Sequence, residues 1–273
     1  MWMPETPQYL LGQNRRRDAE RALRWLRGRD ADISDELQDM QREVCANLLY
    51  LTVCDAFKSM LTNRTSVMAL ICSLGLMLFQ QFSGINAVIF YTNTIFESAG
   101  SNIDPSLATI IVGIVQTIAT FISSLLIEKA GRKLLLIQSC IIMGICLIVL
   151  GIYFKLQVDN YDLSSVGWLP LVCLVLFIIS FSLGFGPIPW MMMAELFPVE
   201  YRGSASGIAV IFNWSLVFIV TLCFPIMKDA IGIYSCFWFF SGFMIICTFF
   251  VIFLIPETKG KTVSQIQAML GGR

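Results

Sequence analysis

The stretch VMALICSLGLMLFQQFSGINAVIFY, residues 67–91, decides the fold of this chain. It is long enough to cross the roughly 30 Å hydrocarbon layer of a membrane as a helix, which takes about 20 residues. Its centre nevertheless carries two glutamines, a serine, a glycine and an asparagine. Amides and irregular backbone are tolerated at membrane depth where protein or a water-filled cavity satisfies them, not where lipid does. The pattern therefore predicts a broken transmembrane helix that faces the inside of a bundle.

Five further apolar stretches follow the first, and the composition of the chain agrees with a membrane protein. Of the 273 residues, 56% are hydrophobic and 14% are charged, against about 45–50% and about 25% in an ordinary soluble domain. We therefore predict an all-α membrane protein with six transmembrane helices, preceded by short cytoplasmic helices. The predicted spans are 67–91, 107–127, 134–154, 169–194, 205–227 and 233–255.

The fourth predicted span is interrupted as the first one is. Its middle holds Gly184, Gly186, Pro187 and Pro189, and these residue types unsettle the hydrogen-bond ladder of a helix. If six spans are two sets of three, the first and the fourth are equivalent members. Interruptions at equivalent places point to the binding site of a transporter. The alternative is that proline and glycine merely kink helices of a passive bundle.

The rest of the chain divides around the spans. Residues 1–12 are predicted to end a preceding span and its loop. Residues 13–64 are charged and carry apolar side chains at helical spacing, which predicts amphipathic helices at the cytoplasmic surface; a solvated linker is the alternative. Residues 65–256 hold the six-helix bundle, and residues 257–273 form a cytoplasmic tail.

Basic residues are distributed unevenly about the spans. All but two of the 19 Lys and Arg residues fall on one side of the predicted bundle, and only Lys155 and Lys228 fall on the other. Basic loops stay in the cytoplasm, so both termini of this multi-pass protein are predicted to be cytoplasmic. The lipid bilayer is an expected partner, whereas nucleic acid is not.

Neither a metal nor another cofactor is expected. The nine cysteines show no metal-ligand spacing, and the sequence has no histidine. Most of the cysteines fall inside predicted spans, where small packing residues are favoured over disulfides. The spans also carry no plausible acid, base or metal cluster, so we expect no catalytic residue and no enzyme activity.

The polar residues at membrane depth are amides and hydroxyls rather than acids or bases. An uncharged substrate is therefore expected. Amides both donate and accept hydrogen bonds, as each hydroxyl of a sugar does. Aromatic faces can cover the apolar C–H faces of a sugar ring. These residue types together predict a path for a sugar.

Two acid–base sets stand at the predicted cytoplasmic ends of the spans. One is Glu128 with Arg132, and the other is Glu195 with Arg202. Such groups could pair across spans when the cytoplasmic side is closed and separate when it opens, as a gate does. Anchoring of the helix ends is the alternative, and the residues alone favour neither interpretation.

Five motifs in the same order resemble the sugar porter family of the major facilitator superfamily, which includes facilitated glucose and insect trehalose transporters. They are PETPQYL at 4–10, QQFSGIN at 80–86, EKAGRK at 128–133, GPIPW at 186–190 and PETKG at 256–260. The resemblance implies the C-terminal half of a major facilitator bundle. It also implies facilitative transport of trehalose or a hexose by alternating access, in the plasma membrane.

The family's first six spans have no counterpart in this sequence. The chain is therefore expected to be a fragment that works with the missing N-terminal half, or to pair with a full-length homologue. The alternative is a half-bundle that does not transport and only binds and modulates a full-length transporter.

The resemblance also implies roles for individual residues. Sugar contacts are implied for Gln80, Gln81, Asn86, Gln116, Trp190, Asn213 and Trp214. A cytoplasmic gate is implied for Glu128, Arg132, Glu195, Arg202 and Glu257. Gln8 replaces an arginine of the family, while Gln116 and Ser182 replace an asparagine and an acid of many glucose facilitators. These departures make the pattern more similar to the insect trehalose group.

Overall fold

A computed structural model describes residues 5–28, 33–34, 36–41, 61–99 and 104–271. In this part of the chain the regular structure is helical, and no strand is present. The chain divides into two compact units, Met1–Met60 and Leu61–Arg273. The all-α class predicted from the sequence is confirmed.

The first unit is built on two short helices, α1 (Pro7–Gly12) and α2 (Arg16–Arg27). Thr6 caps α1, because its hydroxyl accepts a hydrogen bond from the Tyr9 backbone N–H at 3.4 Å. The small apolar core of the unit is formed by Leu10, Leu11, Ala19, Ala22, Leu23, Ile33 and Leu37. Residues 36–41 are helical as well. The part of the predicted amphipathic segment at 42–60 lies outside the described residues.

In the described part of the second unit, six helical segments are long and apolar enough to cross a membrane. They are Arg64–Glu97, Ser106–Ile127, Arg132–Val158, Leu169–Leu196, Arg202–Ile231 and Ile233–Leu254. We refer to them as the first to the sixth span. The prediction of six transmembrane helices is confirmed, and the protein is an integral membrane protein.

The first span consists of two helices, α3 (Arg64–Phe82) and α4 (Ile85–Ala99). Gly84 joins them with a φ of +81°, a left-handed conformation that glycine adopts at little cost. A Cβ at Gly84 would also lie 2.8 Å from the ring of Phe240 on the sixth span. The break predicted in this span is therefore a sharp turn into which only glycine fits.

The fourth span is broken by a π-helical turn. It consists of α7 (Leu169–Ser180), the π turn Phe181–Phe185 and α8 (Ile188–Leu196). A short 3₁₀ helix, Ser164–Val166, precedes it. A π turn widens the helix by one residue and leaves carbonyl groups misaligned with their usual donors. The remaining helices are α5 (Pro105–Ala130), α6 (Arg132–Val158), α9 (Val199–Ile231), α10 (Ile233–Leu254) and α11 (Val263–Gly271).

The third and sixth spans pack closely along their length. Glycines make this possible, since a Cβ at Gly151 would lie 2.2 Å from the Trp238 indole nitrogen. The Ser241 hydroxyl donates to the Gly144 carbonyl oxygen at 3.2 Å. The second and fifth spans are the least buried of the six. Their outer faces are therefore available to lipid or to other protein.

Candidate functional site: the junction of the two broken spans

The turn between α3 and α4 gathers three amide side chains. The Ser83 hydroxyl donates to the Gln80 carbonyl oxygen at 2.7 Å and accepts from the Ile85 N–H at 3.3 Å, which closes the turn. The Asn86 amide nitrogen donates to the side-chain oxygen of Gln81. The sequence prediction that these polar residues face the interior agrees with the burial of Gln80 and Gln81, each 4% exposed.

One side chain joins the break in the first span to the break in the fourth. The Gln80 Nε2 group donates to the carbonyl oxygens of Phe185 and Gly186, at 2.7 and 3.0 Å. Both acceptors lie at the end of the π turn, where the helical ladder supplies no donor. The amide thus supplies a donor to one buried and one half-buried carbonyl group, which would be costly to leave unpaired. The two interruptions therefore form a single junction.

Serines of two other spans form further hydrogen bonds with the backbone of the π turn and of the residue before it. Ser123 on the second span donates to the Leu183 carbonyl oxygen at 3.3 Å. Ser139 on the third span donates to the Ser180 carbonyl oxygen at 2.7 Å, and it accepts from the Phe185 N–H at 3.4 Å. Irregular backbone at this depth is thus satisfied by protein, as it must be in a membrane.

The fifth span contacts the same junction through Asn213. Its amide nitrogen lies 3.0 Å from Gln80 Oε1 and 3.3 Å from the sulfur of Met77. Gln80 therefore uses its amide hydrogens and its oxygen within the protein, and Asn213 is only 3% exposed. Both residues organise the junction, whereas Gln81 and Asn86 retain hydrogen-bonding capacity.

The remaining predicted sugar contacts lie apart from this amide cluster. Trp190 and Gln116 are half-buried on α8 and on the second span. Trp214 follows Asn213 but is 64% exposed, because successive residues of a helix point about 100° apart. In the part of the chain that the structure describes, no hydrogen bond ties these three side chains to the cluster. The structure thus brings Gln80, Gln81, Asn86 and Asn213 together.

At the ends of the spans, one ion pair crosses between the third and the fourth span. Arg132 Nη2 lies 3.1 Å from Glu195 Oε1, and the two side chains are 14% and 26% exposed. Arg202 instead donates to the Phe197 carbonyl oxygen at 3.4 Å. The side chain of Glu128 lies outside the described residues, so its predicted pairing with Arg132 stays a prediction.

Glu257 connects the end of the sixth span to the start of the third. Its carboxylate accepts from the backbone N–H groups of Arg132 and Lys133, each at 3.1 Å, and from that of Lys259 at 2.9 Å. The first turn of a helix has N–H groups without intrahelical partners and attracts negative charge. Glu257 therefore caps α6 from a segment more than a hundred residues away.

Sequence analysis missed the partners that hold the junction together. Ser123 and Ser139 are single hydroxyls within apolar spans, and such residues give a weak signal on their own. The carbonyl groups of the π turn give none, because every residue has one. Among the described residues, no group of His, Cys, Asp and Glu could hold a metal ion.

The chain is similar to known sugar transporters along its length. A family model described as "Sugar (and other) transporter" matches residues 1–270. The facilitated trehalose transporter Tret1 of Drosophila pseudoobscura pseudoobscura is 49% identical over 271 residues, which cover 99% of this chain and 31% of that protein. The Tret1 of Anopheles gambiae is 46% identical over 278 residues, 99% of this chain and 34% of that protein. The chain spans about a third of the length of these relatives.

Solved structures of similar fold include the proton:xylose symporter XylE. The complex of XylE with 6-bromo-6-deoxy-D-glucose matches with a TM-score of 0.76 and 26% identity, over 98% of this chain and 55% of that one. The inward open conformation of XylE from E. coli matches with a TM-score of 0.70 and 26% identity, over 98% and 52%. The matched region is about half of XylE.

Proposed function

The chain belongs to the sugar transporter family of the major facilitator superfamily, and from this membership we propose that it forms one half of a facilitative sugar carrier. Carriers of this superfamily enclose a central site between two halves and rock one half against the other. The chain spans about half of XylE, so a second set of spans is needed to complete the cavity. This set is an N-terminal half or a full-length homologue.

The observation that carries this proposal is the junction formed by Gln80. The first and fourth spans, which are equivalent if the six spans are two sets of three, are both broken, and the Gln80 amide joins the breaks at 2.7 and 3.0 Å. Discontinuous helices at equivalent places typically build the binding site of a transporter. A plain structural bundle would have no need of two interruptions that require buried amides to satisfy them.

The proposed substrate is a neutral sugar, either trehalose or a hexose. Gln81 and Asn86 lie beside the junction and offer donors and acceptors of the kind that sugar hydroxyls require. Trp190 and Gln116 would line the same path, and Trp214 would reach it from the fifth span. Binding in the millimolar range, about −4 kcal/mol, would allow release on either side. The relatives named as trehalose transporters support trehalose first.

The ends of the spans with the Arg132–Glu195 pair are the proposed gate. In one state, contacts among Arg132, Glu195 and Glu257 would hold the ends of the third, fourth and sixth spans together. In the other state these contacts would break. Glu128 and Arg202 are proposed to belong to the same gate. We place this gate on the cytoplasmic side, with residues 13–64 and 257–273 in the cytoplasm and the carrier in the plasma membrane. The basic residues of these segments support that orientation.

Uptake into vesicles tests the proposal. Vesicles that contain the chain together with its complementary half are expected to take up labelled trehalose or glucose, without dependence on an imposed pH gradient. Gln81→Leu and Asn86→Leu should each lower the rate at least about tenfold, since an unpaired sugar hydroxyl costs about 1–3 kcal/mol. Gln138→Leu is the matched control, because this amide is exposed on the third span. Unchanged uptake in well-expressed Gln81 and Asn86 variants would refute the proposal.

A further inference from the structure

A proline interrupts the backbone hydrogen bonding of the fifth span. Pro225 lies within the helix Val199–Ile231. It has no N–H group, so the carbonyl oxygen of Thr221, four residues earlier, lacks its ordinary helical donor. In a membrane such a group needs a donor from a neighbouring helix or side chain.

Tyr91 supplies that donor from the first span. Its hydroxyl donates to the Thr221 carbonyl oxygen at 3.1 Å. The ring of Tyr91 packs against the ring of Phe224, with 5.2 Å between centroids, so the hydroxyl is held towards the helical turn that contains Pro225. Tyr91 thus contacts one turn of the fifth span both through its ring, against Phe224, and through its hydroxyl, which bonds to Thr221.

Tyr91 itself lies at an irregular position of α4. Its φ of −114° and ψ of 20° are not helical and mark a kink in that helix. The Thr92 hydroxyl donates to the carbonyl oxygens of Val88 and Ile89 at this kink, the second at 3.3 Å. The kink of the first span is therefore bonded to the turn of the fifth span in which Pro225 leaves a carbonyl group without its helical donor.

The fifth span thus holds the first span on both sides of the Gly84 turn. Before the turn, Asn213 donates to Gln80 at 3.0 Å. After the turn, Thr221 accepts from Tyr91 at 3.1 Å. A helix that is free at a glycine turn can pivot there, and the second bond fixes the direction in which α4 leaves the turn.

We propose that Tyr91 is a positioning residue for sugar transport, because its bond to the carbonyl group freed by Pro225 holds α4, and with it Asn86, against the fifth span. This inference rests on the proposed function only where it concerns transport. The hydrogen bond and its dependence on Pro225 can be tested in the protein alone.

The first experiment is a double-mutant cycle on thermal unfolding of the purified chain in detergent. Tyr91→Phe removes only the hydroxyl and is expected to lower the unfolding midpoint by about 2–4 °C. Pro225→Ala restores an N–H donor for the Thr221 carbonyl group. In that background Tyr91→Phe is expected to have less than about half of its original effect. Equal shifts in both backgrounds would overturn the proposed dependence on Pro225.

The second experiment repeats the cycle on uptake by the completed carrier. Tyr91→Phe is expected to change the maximal rate about threefold or more, and Pro225→Ala is expected to reduce that change. Tyr161→Phe, an exposed tyrosine of the loop after the third span, is the matched control and should transport as the parent does. A bond that only stabilises the fold would leave the rate of the folded variant unchanged, and this result would overturn the positioning role.

Failure of the proposed function and failure of the inference about Tyr91 would give different results. If the parent carrier does not transport, the proposed function fails, and coupling in the unfolding cycle still supports the Tyr91–Thr221–Pro225 arrangement. If the parent transports and both cycles are additive, the inference about Tyr91 fails and the proposed function stands.

Discussion

The amide nitrogen of Asn213 lies 3.0 Å from the side-chain oxygen of Gln80. This hydrogen bond attaches the fifth span to an amide that already joins the breaks of the first and the fourth. Three helices therefore meet at one side chain that is 4% exposed. A buried network of this kind is stabilising when all members are satisfied and costly when one is removed.

Replacement of Gln80 by leucine should destabilise the bundle. Gln80→Leu leaves the Phe185 and Gly186 carbonyl groups without their donor and Asn213 without its acceptor. We expect the free energy of unfolding to fall by about 2–4 kcal/mol, since each unsatisfied buried group costs about 1–3 kcal/mol. Chemical denaturation in detergent, followed by tryptophan fluorescence, measures the change. The exposed Gln138→Leu should stay within about 0.5 kcal/mol, and a similar loss for both variants would contradict the role of the junction.

Introduction of a methyl group at Gly184 should separate the fourth span from the third. A Cβ at this position would lie 2.6 Å from the Leu135 carbonyl oxygen and 2.7 Å from the Ser139 Cβ, and backbone cannot yield as a flexible side chain can. Gly184→Ala should therefore cost about 1–3 kcal/mol of unfolding free energy. Gly242→Ala is the control because, apart from the adjoining backbone of its own helix, nothing lies within 4 Å of its Cβ position. It should be neutral or stabilising by up to about 1 kcal/mol. Equal thermal midpoints for the two variants would argue against close packing at Gly184.

The Arg132–Glu195 ion pair should contribute more to the free energy of unfolding than an exposed ion pair does. Its side chains are 14% and 26% exposed, whereas those of Arg24 and Glu20 are 54% and 40% exposed. A double-mutant cycle with Arg132→Gln and Glu195→Gln should give a coupling energy of about 1 kcal/mol. The same cycle on Glu20 and Arg24 should give less than about 0.5 kcal/mol and should weaken further as salt is added.

Neutralisation of Glu257 should loosen the start of the third span. Glu257→Gln removes the negative charge that faces the N–H groups of Arg132 and Lys133. The free energy of unfolding is expected to fall by about 0.3–1 kcal/mol, the usual range for an exposed charge at a helix start, or by up to about 2 kcal/mol, the upper value for a partly buried one. Amide hydrogen exchange at Arg132 and Lys133 should become faster. Glu97→Gln, at an exposed acid near the end of α4, provides the control and should leave that exchange as it is.

The six spans and the two breaks could be predicted because the information is local. An apolar run of about 20 residues is visible wherever it occurs, and the glycines, prolines and amides that break it stand within the run. The partners of those residues are not local. Gln80 bonds to carbonyl groups 105 and 106 residues later, and this pairing depends on how each helix is rotated in the bundle.

The same dependence on rotation separates neighbouring residues of the predicted site. Asn213 and Trp214 are adjacent, yet one is 3% and the other 64% exposed. The partners of the acid–base sets also depend on helix rotation. Arg132 pairs with Glu195, whereas Arg202 donates to the Phe197 carbonyl oxygen. Residue types and spacing identified which side chains carry the polar chemistry, but not which of them contact each other. The roles in sugar binding and gating stay predictions.

The π turn Phe181–Phe185 has a mechanical consequence for the fourth span. Its carbonyl groups and the adjacent ones accept from Gln80, Ser123 and Ser139, which stand on three different helices. A slide of the fourth span by a single residue, about 1.5 Å along its axis, would misalign all three donors at once. These hydrogen bonds therefore fix the axial position of the fourth span relative to its neighbours. We expect rearrangements of the bundle to proceed by tilting or rotation of helices together, and not by axial sliding of the fourth span alone.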